Sequence, residues 1–180
     1  MAFALRWATP DDLGPLAALM AASIERLQVG FLSPGQIVAS RQVMGLDTQL
    51  VADGTYAVAE EGGALIGSGG WSRRATLYGG DHSVDLRDPA LLDPAREPAR
   101  IRAMYAHPDH ARRGIGRAIL VFCEQAAAEA GFTAAELMST MSGQPLYESC
   151  GYGPVESVTA DVDGVAVPLL RMRKAIAASA

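Results

Sequence analysis

The chain has 180 residues, of which 49% are hydrophobic and 19% are charged. This composition is typical of a soluble globular domain, and it excludes the weakly hydrophobic class of disordered chains. The net charge of −5 argues against a nucleic-acid-binding protein, because phosphate contacts generally require a basic surface. No stretch approaches the roughly 20 apolar residues of a membrane span, and no signal-peptide pattern opens the sequence. We therefore predict a single cytoplasmic domain over residues 1–180, with neither nucleic acid nor membrane as a partner.

Hydrophobic patterning and helix-capping residues predict an α/β chain of the α+β type, with a central mixed β-sheet flanked by helices. In chain order the predicted elements are a strand (3–8), two helices (9–27 and 33–45), a β-hairpin (55–72), a long loop (73–99), a strand (99–107), a helix (114–131), a strand (133–139), a short helix (144–151) and a second β-hairpin (155–172). Glu61-Gly62-Gly63 and Asp163-Gly164 supply the turns of the two hairpins. The helix that begins at 114 is expected to bury Ile115, Ile119, Phe122 and Ala126.

The two cysteines, Cys123 and Cys150, have no Cys or His nearby at the spacing of metal ligands. Free cysteines are among the most buried residue types in proteins. We therefore predict two buried thiols and no metal site.

The segment HPDHARRGIGRAIL (107–120) places glycines and arginines between a predicted strand and a predicted helix. Gly114 and Gly116 would allow a ligand to approach the unpaired N–H groups at the start of that helix. Arg112, Arg113 and Arg117 would add positive charge for phosphate groups. For these residues alone, a glycine-rich helix start with solvated arginines is the alternative reading.

Two common phosphate-binding motifs do not fit this segment. A P-loop ends in Gly-Lys-Ser/Thr, whereas Arg117 and Ala118 follow Gly116 here. The dinucleotide fingerprint requires a third glycine, and Ile119 stands at that position. A nucleotide site of either kind is therefore not predicted.

The longer stretch RIRAMYAHPDHARRGIGRAIL (100–120) resembles the acetyl-coenzyme A (acetyl-CoA) binding segment of the GCN5-related N-acetyltransferases (GNAT). Downstream, PLYESCGY (145–152) resembles the Tyr-x-x-x-Gly-(Phe/Tyr) segment of the same family. Together with the order of strands and helices, the resemblance spans nearly the whole chain. It implies the GNAT acyl-CoA N-acyltransferase fold, with acetyl-CoA as co-substrate.

The resemblance also implies which residues bind the cofactor. Backbone N–H groups of six consecutive residues would bind its pyrophosphate: Arg112, Arg113, Gly114, Ile115, Gly116 and Arg117. The main chain of Met104, Tyr105 and Ala106 would pair with the pantetheine arm and polarise the thioester carbonyl. One departure is visible, because Ala111 stands where the family motif begins with Gln or Arg.

Tyr147 aligns with the family tyrosine that lies near the cofactor sulfur, and a phenol is a credible proton donor to a departing thiolate. The alternative is that Tyr147 only packs its helix on the core. The general base is not assigned, since Arg100 and Arg102 lie on the strand where many relatives carry a Glu. The candidates are Glu97, Asp81, His82, Asp85 or a water chain, whereas His107 and His110 are expected to make local contacts only.

The predicted activity is transfer of an acetyl group from acetyl-CoA to a primary amine of a small molecule or peptide, by direct attack. The alternative is a non-catalytic module that binds or senses acyl-CoA. Trp71, Arg73, Arg74 and Tyr78 are candidates for the acceptor pocket, or else form an exposed hairpin end. Four arginines (73, 74, 100 and 102) hint at an acceptor with a carboxylate or phosphate. The apolar C-terminal hairpin is a candidate interface for a homodimer.

Overall fold

The computed structural model describes residues 2–177, so Met1 and residues 178–180 of the predicted domain lie outside it. Within the described residues, seven strands form one mixed sheet in the order β1-β2-β3-β4-β5-β7-β6. The elements are β1 (Ala4–Trp7), α1 (Leu13–Leu27), α2 (Pro34–Ser40), α3 (Thr48–Ala52), β2 (Tyr56–Glu61), β3 (Ala64–Ser72), β4 (Ala99–Ala106), α4 (Ile115–Glu129), β5 (Ala134–Thr140), α5 (Gln144–Ser149), β6 (Gly153–Val162) and β7 (Val165–Ala175). The predicted fold class, a mixed sheet flanked by helices, is confirmed.

The two faces of the sheet pack against different helices. Ala57 and Ala59 of β2 belong to the hydrophobic core beneath α4, whereas Tyr56 and Val58 belong to the core beneath α1. This division follows from the two-residue alternation of side chains along a strand. The central strands are therefore apolar on both faces, which explains the nearly continuous hydrophobic runs in the sequence.

The buried face of α4 is rotated slightly from the predicted one. Ile115 and Ile119 are fully buried as expected, but Phe122 and Ala126 lie at the margin of the core and are partly exposed. Cys123 occupies the centre of that face, and burial raises the pKa of its thiol. The prediction that Cys150 is also buried is wrong, since this residue follows the last turn of α5 and is partly exposed.

Strands β4 and β5 diverge in the middle of the sheet. They run parallel and pair only where Ala99–Ile101 meets Ala135–Leu137. Beyond this point β5 stays with β7, while β4 stays with β3 as far as Ala106. The edge of β4 that faces β5 therefore has no strand partner from Arg102 onward.

A β-bulge in β4 marks the point of divergence. Arg102 pairs with Gly70 and Tyr105 with Ser68, so Ala103 and Met104 together oppose Gly69. Ala103 has a φ of 55°, which is unusual for a residue with a side chain. A bulge of this kind bends the strand and increases its local twist.

The remaining differences between the predicted and observed elements are local. The helix predicted from residue 9 begins as a 3₁₀ turn at Pro10–Asp12, and α2 ends at Ser40 rather than at Gly45. The short helix α3 was not predicted. The long loop at 73–99 is confirmed, although it folds back on itself through the hydrogen bond from the Ala75 N–H to the Ala90 carbonyl.

Among the described residues, no helix is both long and apolar enough to cross a membrane. The Asp163-Gly164 turn between β6 and β7 has positive φ at both positions, 51° and 82°, as the predicted two-residue hairpin turn requires. The homodimer and the cytoplasmic location stay predictions.

Gly69 lies opposite the bulge, and its surroundings leave little room for a side chain. An added Cβ would overlap the Met104 sulfur and lie 2.7 Å from the Ile119 Cγ2. Overpacking of this kind typically costs about 1–3 kcal/mol. We expect Gly69→Ala to lower the free energy of unfolding in a denaturant titration by that amount.

The matched control is Gly153→Ala at the start of β6, where an added Cβ meets nothing within 4 Å. An exposed substitution of this kind usually changes stability by less than about 0.5 kcal/mol. Equal unfolding free energies for the two variants would contradict the claim that a side chain at Gly69 overpacks against Met104 and Ile119.

Candidate functional site

A cavity lies where β4 and β5 separate. The residues that line it come from distant parts of the chain: 43–45, 77–79, 101–105, Leu137, Met138, Thr140, Tyr147 and Leu169. Most of these contribute apolar side chains or backbone. The polar side chains in the lining are Tyr78, Arg102, Tyr105, Thr140 and Tyr147, and the lining contains no carboxylate or histidine from the described residues.

The ring of Tyr147 is held at one wall of this cavity. Tyr147 is 7% exposed, and its ring packs edge-on against Tyr152 with centroids 6.0 Å apart. Its hydroxyl has no hydrogen-bond partner among residues 2–177. Burial raises the pKa of Tyr147 above its ordinary value, so the phenol stays protonated at neutral pH.

A buried polar network fixes the neighbouring ring. The hydroxyl of Tyr152 donates to Glu124 Oε1 at 2.9 Å, and Lys174 Nζ donates to Glu124 Oε2 at 2.7 Å. The ring of Tyr152 is therefore tied both to α4 and to β7. Because Tyr147 packs against this anchored ring, its position in the cavity is constrained as well.

The main chain of Met104, Tyr105 and Ala106 lies at the free edge of β4, beyond its pairing with β5. Tyr105 and Ala106 pair with β3 on one side only. The Tyr105 hydroxyl accepts a hydrogen bond of 3.2 Å from the Gly45 N–H, which connects β4 to the segment after α2. This arrangement leaves backbone donors and acceptors of β4 available to an extended ligand.

The loop before α4 forms a cluster of free backbone N–H groups. Gly114 has a φ of 80°, and Arg112 has a φ of 65°. The N–H groups of residues 112–117 donate to no acceptor in the described chain, and the first helical bond is from Ala118 to the Gly114 carbonyl. Successive free N–H groups at a helix N-terminus form a favourable site for an anion.

Gly116 has a packing role that the sequence did not reveal. An added Cβ at this position would lie 2.8 Å from Leu146 Cδ2, whereas one at Gly114 meets nothing within 4 Å. Gly116 thus allows α4 and α5 to approach each other closely. The close packing brings the loop before α4 and Tyr147 to the same side of the sheet.

The three arginines of this loop differ in their contacts. Arg113 donates to both carboxylate oxygens of Glu61, at 2.8 and 3.1 Å, and lies 2.6 Å from His110 Nδ1. Arg117 donates to the Ser149 hydroxyl at 3.0 Å. Arg112 makes no ion pair or side-chain hydrogen bond with residues 2–177. Of the three guanidinium groups, that of Arg112 has the fewest contacts within the described chain.

The histidines of the same loop make the local contacts that were expected. His107 Nδ1 accepts a hydrogen bond of 3.2 Å from the Asp109 N–H, and His110 lies beside Arg113. Neither histidine lines the cavity.

A buried ion cluster that includes Arg102 of the cavity wall was missed by sequence reasoning. Asp47 is fully buried and accepts hydrogen bonds from both Arg102 and Arg87, the latter through two contacts of 3.2 Å. Burial lowers the pKa of Arg102 below its usual value. No local pattern marks this cluster, because its members are brought together from a loop, a strand and the residue before α3.

Most of the other candidates for the acceptor pocket lie elsewhere. Of these four residues, only Tyr78 lines the cavity. The buried ring of Trp71 lies beneath the Arg73 guanidinium, and Arg74 forms an ion pair with Asp53 at 2.7 Å. Of the four arginines only Arg102 contributes, because Arg100 is bound to Glu136. The candidate bases are exposed and do not line the cavity: Glu97, Asp81, His82 and Asp85.

Comparison with known proteins places the chain among acetyltransferases. Residues 52–154 match the family model of the acetyltransferase (GNAT) domain. No curated protein sequence matches the chain.

Solved structures share the whole fold at low sequence identity. A GCN5-related N-acetyltransferase from Rhodopseudomonas palustris is 21% identical with a TM-score of 0.72, over 98% of this chain and 97% of that one. PaiA N-acetyltransferase from Thermoplasma acidophilum, in complex with coenzyme A, is 16% identical with a TM-score of 0.62, over 97% and 99%. YncA from Salmonella typhimurium, with its cofactor acetyl-CoA, is 17% identical with a TM-score of 0.61, over 100% and 97%.

The matched family model covers more than half of the chain and includes the diverging strands, the loop before α4 and the helix that carries Tyr147. The chain therefore belongs to the GNAT acetyltransferase family.

Proposed function

We propose that this chain, acting as one domain, transfers the acetyl group of acetyl-CoA to a primary amine of a small molecule or peptide. The observation that carries the proposal is the divergence of β4 and β5, which leaves a free strand edge beside a cavity lined by the buried phenol of Tyr147. The cluster of free N–H groups at the start of α4 gives further support. The structures of PaiA with coenzyme A and YncA with acetyl-CoA, which have the same fold, support the choice of cofactor.

The cofactor fits the unpaired main-chain groups. The free N–H groups from Arg112 to Arg117 would hold the pyrophosphate, and Arg112 would add a charge that no carboxylate of the described chain neutralises. The free edge of β4 at Met104, Tyr105 and Ala106 would pair with the amides of the pantetheine arm. Ala111 supplies no side-chain contact, so binding depends on the backbone.

The reaction would proceed by direct attack of a neutral amine. A bond forms between the amine nitrogen and the thioester carbonyl carbon, while a backbone N–H of the free edge at 104–106 stabilises the carbonyl oxygen. The carbon–sulfur bond then breaks and its electron pair goes to sulfur. The Tyr147 hydroxyl gives its proton to the thiolate and regains one from solvent. The nitrogen releases its extra proton to water, because the described lining offers no carboxylate or histidine.

The described lining offers no carboxylate or histidine as a general base, and this also favours the second candidate function, a non-catalytic module that binds acyl-CoA. An assay of free thiol release over a panel of primary amines, paired with calorimetry of acetyl-CoA binding, separates the two functions. Turnover with any amine excludes the module. Binding without turnover excludes the transferase, and failure of binding at millimolar cofactor excludes both.

Substitution of Tyr147 by Phe tests the proposed general acid. Loss of general acid catalysis typically lowers the rate by about 100-fold or more. We expect Tyr147→Phe to lower kcat by this amount and to leave the Kd for acetyl-CoA nearly unchanged. Because burial raises the pKa of Tyr147, its ionisation should not limit kcat in the neutral range.

The control for this test is Tyr152→Phe. The hydroxyl that it removes donates to Glu124, and Tyr152 does not line the cavity. This variant keeps the ring that packs against Tyr147, so it should lose stability but retain most of its kcat. Full kcat in Tyr147→Phe, with chemistry shown to be rate-limiting, would refute the assignment.

Substitution of Gly114 by Ala tests the proposed pyrophosphate site. An added Cβ at Gly114 meets no protein atom within 4 Å, so its effect on the cofactor is separable from packing. Because a charge-assisted hydrogen bond contributes about 1.5–3 kcal/mol, displacing one donor should weaken acetyl-CoA binding by about tenfold or more. Calorimetry measures this change directly.

Gly54→Ala is the matched control. Gly54 has a φ of 70° and equally open surroundings, but it lies in the turn between α3 and β2. Both variants should lose similar thermal stability through backbone strain. Equal acetyl-CoA affinities in the two variants would argue against a pyrophosphate site at Gly114.

A further inference from the structure

The cavity has a buried guanidinium with unused hydrogen-bonding capacity. Arg102 lines the cavity and is 4% exposed. Its Nη2 donates to Asp47 and weakly to the Gly79 carbonyl at 3.4 Å. Its Nε and Nη1 have no partner among the described residues. Buried donors without acceptors are rare because they cost free energy, and Arg102 lines the cavity, so a molecule bound there is a candidate partner for them.

The charge of the cluster is unbalanced. Asp47 is shared between Arg102 and Arg87, so one carboxylate faces two guanidinium groups. Asp81 also acts on Arg102, but it is exposed and already accepts a hydrogen bond from the Thr48 N–H. Arg102 and Asp47 are buried and balance each other, and the partly exposed Arg87 brings the net charge of these three side chains to +1, which matches a monoanion better than a phosphate dianion.

The position of Arg102 suits a role in binding the acceptor. It is the first residue of β4 after the strand loses its pairing with β5, and it immediately precedes the bulge at Ala103 and Met104. Arg102 and Tyr147 line the same cavity. The rest of the lining is largely apolar: Val43, Met44, Leu77, Leu137, Met138 and Leu169. In such surroundings a charged hydrogen bond is strong and selective.

We propose that Arg102 binds a carboxylate of the acceptor, so that the acceptor is an amine of amino-acid size with one carboxylate and an apolar side chain. This inference rests on the proposed acetyl transfer. Nη2 stays with Asp47, while Nε and Nη1 point to different edges of the guanidinium, so each can donate a separate hydrogen bond to an acceptor. The other arginines that the sequence suggested, 73, 74 and 100, do not line the cavity.

The first experiment compares matched amines with the unaltered protein. Thiol release from acetyl-CoA is measured with leucine, methionine and phenylalanine, and with isopentylamine, 3-(methylthio)propylamine and phenethylamine, which lack only the carboxylate. O-phosphoethanolamine serves as the phosphate arm. Since an unpaired buried charge costs heavily, we expect kcat/KM to be at least about 100-fold higher for the carboxylate member of at least one pair. Equal values within every pair, or a preference for the phosphate amine, would overturn the proposal.

The second experiment uses Arg102→Met and Arg102→Lys, with thermal melting as a check on folding. Arg102→Met should lower kcat/KM for the preferred amino acid by about 100-fold and that for its decarboxylated partner only slightly, with Arg102→Lys intermediate. The Kd for acetyl-CoA should not change. Equal losses for both members of the pair would show that Arg102 has only a structural role. If Arg102→Met does not fold, the paired amines with the unaltered protein and the Arg102→Lys variant still test whether Arg102 binds a carboxylate.

A binding measurement separates this inference from the proposed function. N-acetylleucine and N-isopentylacetamide are titrated into the protein with and without coenzyme A, without any turnover. Tighter binding of N-acetylleucine that is lost in Arg102→Lys or Arg102→Met supports the carboxylate site even if no amine is acetylated. Equal binding of the two compounds overturns the site, even in a protein that transfers acetyl groups.

Discussion

The parting of β4 and β5 after three paired residues is the constraint on which the rest of the molecule depends. At the closed end, Arg100 and Glu136 face each other across the parallel pair, with Nη1 and Oε1 2.8 Å apart. Glu136 is also bound by Arg173 Nε at 2.8 Å, which ties β7 to the same point. A buried carboxylate held by two guanidinium groups thus stabilises the junction of three strands, from which β4 and β5 can diverge.

The two arginines of β4 show what the divergence does to a side chain. Arg100 and Arg102 are two residues apart and so project to the same face of the strand. Arg100 finds its carboxylate on β5, but at Arg102 that neighbouring strand has moved away. Arg102 therefore binds Asp47 from the segment before α3, and two of its nitrogens stay without a protein partner in the described chain. The same divergence thus leaves a buried cation at the wall of the cavity.

Features that depend on a few neighbouring residues were predictable from the sequence. The Asp163-Gly164 turn and the glycine that starts α4 require particular backbone angles, and these restrict the residue types. The helix α3, the burial of Asp47 and the contact of Gly116 with Leu146 depend on residues far apart in the chain. Cys150 was misjudged for the same reason, because its apolar neighbours do not show which side of α5 faces the core.

Features set by neighbouring residues can be predicted from the sequence, whereas contacts between distant residues cannot. This explains why the family resemblance indicates the cofactor more clearly than the acceptor. The groups that we propose for acetyl-CoA are mostly main-chain atoms of two continuous segments, 104–106 and 112–117, and the sequence marks the second segment by its glycines between a strand and a helix. The proposed acceptor side is lined by residues from separate segments, including 43–45, 77–79 and Leu169. Each of these segments can change without disturbing the strand edge or the helix N-terminus. Specificity for the amine is therefore free to differ between chains that share the fold, and it must be inferred from the charges and contacts of this cavity.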